Sequence, residues 1–198
     1  MRRVAHALEA APSLRRQHTA CRELRTQRGA GRGTADGDGI GRHLQQLGHE
    51  ESHREFSQRL SRFAQQATHI VAECRGALVY AGGDDVLALM PLPGALECAD
   101  RLRKAFGEAV ADGRRTAPTL SVGIAIVHIH ENLRSALEYA RAAEHAAKRG
   151  GRNALALARH TRGSGPDVST VVHSWEVDPV GTIWHRLAEL LHRGAMPS

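Results

Sequence analysis

Cysteine is scarce in this 198-residue chain: Cys21, Cys74 and Cys98 stand far apart, and no Cys-x-x-Cys pair occurs. That excludes a paired-thiolate zinc site and a disulfide framework, and an odd, unspaced set suits reduced thiols in a cytoplasm. Cys74 and Cys98 fall within apolar helical patterns, where a thiol serves as a small core residue. No apolar run comes near the roughly 18 residues that a membrane span needs, so no membrane role is predicted. The opening makes a poor secretory signal too, because His6, Glu9 and Pro12 interrupt its apolar stretch. Aromatics are few and glycines frequent, yet the apolar fraction is ordinary, and the length suffices for one well-buried domain with tails.

Acids are nearly missing from residues 1–35, which carry eight arginines against Glu9 and Glu23. That imbalance accounts for the entire net charge of +6, so residues 36–198 are neutral overall. A basic balance ordinarily suggests nucleic acid, but here it belongs to the tail and not to the domain that follows. The tail has an Arg-rich, acid-poor composition like that of transit peptides, a reading not adopted. Arg25 to Ala35 contains no Val, Ile, Leu, Phe or Tyr. Such a segment has little strand propensity, and no strand is predicted before Asp36. Residues 1–35 are accordingly read as an irregular tail and not the native lead-in, in the manner of a misframed start.

Regular patterning begins after Asp36. His53 to Cys74 places Phe56, Leu60, Phe63, Ala67, Ile70 and Val71 at helical spacing. Ala77–Tyr80 and Val86–Met90 are short apolar runs separated by Gly-Gly-Asp-Asp, which predicts two strands and a tight turn. A helix is predicted over about 94–111, a strand over 120–128, an Ala-rich helix over 133–148 ended by Gly150 and Gly151, and a last short strand over 153–158. The expected fold is α+β, with helices packed on one face of a sheet. The domain is bounded at 36–160; residues 161–198 read as a linker and the helical stub (Thr182 to His192) of a following domain.

The chemistry concentrates at Gly82-Gly83-Asp84-Asp85. Enzymes that join nucleotides hold two divalent metals with carboxylates, one activating a ribose hydroxyl and the other neutralising the triphosphate. Mg²⁺ takes oxygen ligands and keeps waters, so two or three aspartates suffice. Asp84 and Asp85 sit at the predicted hairpin tip, and Asp36-Gly37-Asp38 stands ahead of the first predicted helix. Gly82 and Gly83 are expected to supply positive φ and room for a triphosphate. Because neighbouring strand residues face opposite ways, the turn must rotate the backbone for both aspartates to serve one metal pair. A plain solvent-exposed turn uses the same residue types. His128 and His130 share a strand face, but no third metal ligand is evident.

The run Val79 to Leu89 around the GGDD turn resembles the signature of the large polymerase/cyclase-like subunit of type III CRISPR effector complexes, particularly its Cmr (III-B) branch. Asp36 to Gly41 (DGDGIG) is similar to that family's first metal-binding motif, His53 to Ser57 with Phe63-Ala64 to its next helix, and Ser121 to His128 to its later strand. Ala147 to Ala154 (AKRGGRNA) resembles a helix end that the family shares with GGDEF diguanylate cyclases. The resemblance implies a ferredoxin-like palm that binds ATP with Mg²⁺ or Mn²⁺ and makes cyclic oligoadenylate in antiviral defence. Such a palm would work in the cytoplasm with other complex subunits and with guide and target RNA. It implies metal ligation by Asp36, Asp84 and Asp85, with Asp38 a weaker member of the motif. It further implies a triphosphate cradle at Gly82 and Gly83, a base or ribose neighbour in Ser57, and phosphate contact by Lys148. A cation in a last helical turn also suits the helix dipole without any ligand. Two alternatives stay open: a GTP-using GGDEF-like cyclase, disfavoured by Val86 after the turn, and a non-catalytic scaffold palm.

Overall fold

A computed structural model describes residues 29–112, 117–128, 130–160 and 168–177. Strand β1 (Gly29–Asp38) leads through Gly39 into helix α1 (Ile40–Leu47) and the long α2 (Glu50–Glu73). The hairpin β2 (Ala77–Gly82) and β3 (Asp85–Pro91) is followed by α3 (Leu92–Val110), β4 (Thr119–His128), α4 (Leu133–Arg149), β5 (Ala154–His160) and β6 (Val168–Ser174). These strands form a six-stranded sheet in the order β2-β3-β1-β4-β5-β6. Only the β4–β5 pair is parallel, as the α4 crossover requires.

The strand-free lead-in expected before Asp36 is overturned. β1 lies at the centre of the sheet, antiparallel to β3 from Ala30↔Pro91 to Ala35↔Val86 and to β4 from Gly29↔His128 to Asp38↔Thr119. Its residues bring little apolar surface; the ladders on both edges hold it, and strand propensity yields to that context. Its small residues have a packing role. A Cβ on Gly31 would stand 3.3 Å from the Ala95 Cβ of α3, so that helix passes close over the strand. The folded domain therefore begins several residues before 36.

Helices cover both faces of the sheet, not one. On the first face α2 and α3 bury Phe63, Val71, Leu102 and Phe106 against Val86, Met90, Val122, Ile124 and Leu155. Phe63 and Phe106 meet edge to face at 5.1 Å. On the second face α4 lays Ala136 and Ala140 on Ala125 and Val127, and Ala143 and Ala147 on Ala154, Ala156 and Ala158. Alanine there permits a very close approach. A Cβ on Gly123 would fall 2.1 Å from the Glu144 amide nitrogen and 2.6 Å from the Ala140 carbonyl oxygen, so a side chain at 123 would lift α4 off the sheet.

Two further elements were not foreseen. The DGDGIG run continues into α1, and residues assigned to a linker form β6, which pairs with β5 from Ala154↔Ser174 to His160↔Val168. Trp175, just past β6, is buried in the first-face core, with the Arg103 guanidinium 5.2 Å from its ring centroid. The expected stub at 182–192 and the tail before residue 29 lie outside the described residues. Among the described residues no helix is long and apolar enough to cross a membrane.

Candidate functional site

The end of β1 and the β2–β3 turn meet at one edge of the sheet. Gly82 pairs with Asp85, so the turn consists of Gly83 and Asp84 alone. Gly83 has φ 63° with open space around it, and Asp84 does not share the positive φ. That pattern of signs belongs to type II′ hairpins, which place glycine first. Gly82 needs its small size for another reason: a Cβ there would stand 2.2 Å from the Tyr80 hydroxyl, which folds over it. Only Gly83 thus meets the positive-φ expectation.

The two turn aspartates flank β1 from opposite sides. Asp84 lies over Gly37, where a Cβ would come within 2.8 Å of both the Asp84 Cβ and Oδ2 and 3.0 Å of Ile40 Cγ1. Burial pushes the Asp84 carboxyl above its ordinary range, and the Asp85 charge adds to this; amide hydrogen bonds from Asp84 itself and Gly37 oppose it. Asp85 follows on the other face, the one α4 covers, because Val86 next to it points into the α2/α3 core. Asp36 and Asp38 share that α4 face, since Ala35 between them belongs to the first-face core.

From α4, Lys148 reaches down to form an ion pair with Asp36 and a second, at 3.0 Å, with Glu144. Burial lowers the Lys148 ammonium, and the neighbouring Arg152 lowers it further. Glu144 is buried and its carboxyl raised, chiefly by burial; the Asp38 and Asp85 charges add to this, against His145. Lys148 therefore stands against carboxylates, and its reach toward phosphate would begin from that pairing.

Asp38 does different work from its neighbours. Its Oδ2 accepts hydrogen bonds from Thr119 Oγ1 at 3.0 Å, Ser121 Oγ at 2.7 Å and the Asn153 amide at 3.0 Å. The carboxylate so ties the end of β1 to the start of β4 and to the α4–β5 loop. That loop carries Arg152 at φ 64° and Asn153 at φ 43°, two consecutive non-glycine residues in the left-handed region. Such conformations cost on the order of 1–3 kcal/mol each unless the surroundings impose them. Here the Asp38 bond holds the Asn153 amide while the Asn153 carbonyl accepts from the Trp175 amide at 3.0 Å. Beside Asp38 a cavity of about 400 Å³ opens between Arg42, His43, Thr119 and Arg152.

Asp36, Asp84, Asp85 and Lys148 thus come to one edge. Ser57 is exposed on α2, where its hydroxyl donates to the His53 carbonyl within its own helix at 2.9 Å. His128 and His130 pack at 5.3 Å between ring centroids, but the β1–β4 register places His128 at the opposite end of the sheet from Thr119 and Asp38. Among the described residues no three His, Cys, Asp or Glu side chains converge into a preformed cation cage. The donor set at the β1 end is nonetheless all oxygen, which suits a hard divalent cation; burial is the main cause that raises Asp84 and Glu144, and the neighbouring carboxylate charges add to it. Sequence reading missed Glu144. Its signal was a lone carboxylate inside the buried alanine stripe of α4, four residues before Lys148.

The family model for the second palm domain of Cas10/Cmr2 matches residues 34–156. The Cmr subunit Cmr2 of the Pyrococcus furiosus CRISPR system is 44% identical over 90 residues, which is 45% of this chain and 10% of that protein. Among solved structures, the Csm1–Csm4 cassette aligns without ligand at TM-score 0.64 and 19% identity, covering 79% of this chain and 24% of that one. Its complex with cA4 aligns at 0.56 and 18%, covering 75% and 23%. The GGDEF domain of DgcB from Caulobacter crescentus, solved with c-di-GMP, aligns at 0.53 and 22%, covering 70% and 84%. These structural likenesses speak to the fold. The chain spans about a tenth of the curated relative and about a quarter of Csm1. With the family model matching more than half its length over the strands and turn that build this edge, the chain belongs to the Cas10/Cmr2 second-palm family.

Proposed function

We propose that this palm binds ATP with Mg²⁺ or Mn²⁺ at the β1 edge and contributes to joining ATP into cyclic oligoadenylate within a type III CRISPR effector complex. The supporting observation is the gathering of Asp36, Asp84 and Asp85 around the end of β1, with the Asp85 charge felt at Asp84 and Lys148 paired with Asp36. The solved cassette relative with cA4 and the curated Cmr2 relative agree with this reading. Asp36, Asp84 and Asp85 are the residues that would hold the metals, which when bound activate a ribose hydroxyl and neutralise the triphosphate. Gly83, open on its outer side, leaves backbone exposed for a phosphate to approach. Lys148, released from Asp36 by an incoming cation, is positioned to contact phosphate. Asp38 fixes the geometry through its Oδ2. Positioning and charge carry the rate, with no covalent step asked of the protein.

Guide RNA, target RNA and the other complex subunits are proposed partners through the assembly. The neutral charge of residues 36–198 gives this domain no electrostatic hold on RNA of its own. The likeness to a GGDEF domain favours a second reading, a GTP-using cyclase. One experiment separates the readings: titrate the chain with Mn²⁺ and ATP or GTP, then analyse the products by mass spectrometry. ATP preference and adenylate products, both lost in Asp84→Ala/Asp85→Ala, support the proposal. GTP preference supports the second reading, and absence of both metal and nucleotide binding supports a scaffold palm.

A further inference from the structure

Away from the β1 edge, Cys74 and Cys98 come together between α2 and α3. Cys74 caps the end of α2, its amide bonded to the Ile70 carbonyl at 3.1 Å. Gly94, in the first turn of α3, packs on it so tightly that a Cβ there would stand 2.9 Å from the Cys74 carbonyl oxygen and 3.9 Å from its Cβ. Two turns along α3, Arg101 approaches the same residue, with Nη1 3.7 Å from Cys74 Sγ and Nη2 paired with Glu73. Gly94, Cys98 and Arg101 are spaced by four and three residues, so they share one helix face. Cys98 therefore sits between two positions that both touch Cys74, close enough for each thiol to influence the ionisation of the other.

Both thiols are buried, but Cys74 borders a cavity of about 290 Å³ lined also by Arg75, Pro91 and Pro93. The neighbouring Cys98 lowers the Cys74 thiol against the effect of burial, and Arg101 lowers it further. The same proximity, with burial, pushes the Cys98 thiol up. A thiol that borders a cavity with a guanidinium 3.7 Å from its sulfur, backed by a second, more deeply buried thiol, is the arrangement of attacking and resolving cysteines.

We propose that Cys74 and Cys98 form a redox-active dithiol site that takes small-molecule disulfides. The Cys74 thiolate attacks one sulfur of the incoming disulfide, forming a mixed disulfide and expelling one thiolate. Cys98 then attacks Cys74 Sγ, expelling the second thiolate, which takes up the Cys98 proton. Two protein thiols are oxidised and one disulfide is reduced to two thiols. The new bond links the end of α2 to α3, and Gly76 alone separates Arg75 from the start of β2.

The unmodified full chain tests this directly. It is incubated with oxidised glutathione, alkylated after denaturation, and digested with trypsin without reduction. The expected product joins peptide 63–75, which holds Cys74, to peptide 76–101, which holds Cys98, and leaves the peptide of Cys21 outside the cross-link. Both peptides recovered as alkylated thiols, or Cys74 recovered as a lasting glutathione adduct, would overturn the site. Cys98→Ser is expected to trap that adduct, and its rapid loss in the variant would count against Cys98 as the resolving group. Arg101→Gln is expected to slow adduct formation about threefold for each unit by which the Cys74 pKa climbs; an unchanged rate would remove Arg101 from the site.

Discussion

Replacing Asp38 by alanine separates a structural carboxylate from a metal ligand. Its Oδ2 accepts three hydrogen bonds while the residue stays only 4% exposed. Hydrogen bonds to a charged group contribute about 1.5–3 kcal/mol each, but they are not additive, and the two hydroxyls can rotate toward other acceptors. The Asn153 amide has less freedom, because the left-handed conformations of Arg152 and Asn153 depend on it. Leaving such buried donors unsatisfied costs about 1–3 kcal/mol each, so the set of three should cost about 3–5 kcal/mol after the hydroxyls rotate. At about 2–4 °C per kcal/mol for a chain of this size, the midpoint of thermal unfolding should fall by roughly 6–20 °C. Asp38→Asn keeps one accepting oxygen and should lose about 1–2 kcal/mol. Urea unfolding followed by circular dichroism, with and without Mg²⁺, measures both variants. An Asp38→Ala protein within about 1 kcal/mol of the parent without metal, yet no longer stabilised by Mg²⁺, would refute the structural role and return Asp38 to the ligands.

The remaining predictions concern the charges and the packing around them. Asp84 and Glu144 are raised above their ordinary values of 3.8 and 4.5, so the folded state holds their protons more tightly than the unfolded chain. Their contribution is present below the unfolded values and lost as pH rises through the folded ones; the stability of Glu144→Gln relative to the parent should therefore rise as pH climbs above the unfolded value of 4.5 and level off beyond the folded one, as equilibrium unfolding will show. Mg²⁺ should raise the unfolding midpoint at neutral pH and have a smaller effect at low pH, where Asp84 and Glu144 hold their protons more readily than in the unfolded chain. Lys148→Met removes the cation that competes for Asp36, so Mn²⁺ alone should bind up to about tenfold more tightly, about 1.4 kcal/mol, while ATP binding weakens; calorimetric titration resolves the two. Gly37→Ala places a methyl group 2.8 Å from the Asp84 Cβ, so Asp84 must shift. Nucleotide turnover should drop by at least tenfold with the helical circular dichroism signal intact, and unchanged turnover would show that the contact does not position the turn.

How legible the molecule was in its sequence depended on whether a residue's role is local. The hairpin could be read because its turn is specified by Gly83 and Asp84 within two strongly apolar runs, and the positions of α2, α3 and α4 follow from helical periodicity. β1 was illegible because nothing in Gly29–Ala35 favours a strand by itself; the ladders of β3 and β4 supply what the segment lacks. The same segment has to be small, since α3 passes within contact of Gly31. Low strand propensity at the centre of this sheet is thus a consequence of close helix packing. For the same reason β6 escaped notice: its value lies in covering β5 and in delivering Trp175 to the core, neither visible in a run of Ser, Thr and Val.

The site divides along the same line. Asp84 and Asp85 announce themselves because the hairpin tip concentrates them, whereas Glu144 comes near them only through where α4 lands. Gly123 lets that helix descend until Glu144 and Lys148 reach the end of β1. A glycine in the middle of an apolar strand therefore sets how near a cation stands to Asp36. Gly123→Ala should raise α4, separate Lys148 from Asp36 and leave the carboxylates without their internal counter-charge. Because Lys148 competes with a divalent ion for Asp36, this variant should reach half of its Mg²⁺-induced stabilisation at a lower Mg²⁺ concentration than the parent. An unaltered Mg²⁺ requirement would show that the height of α4 does not govern the charge balance at the turn.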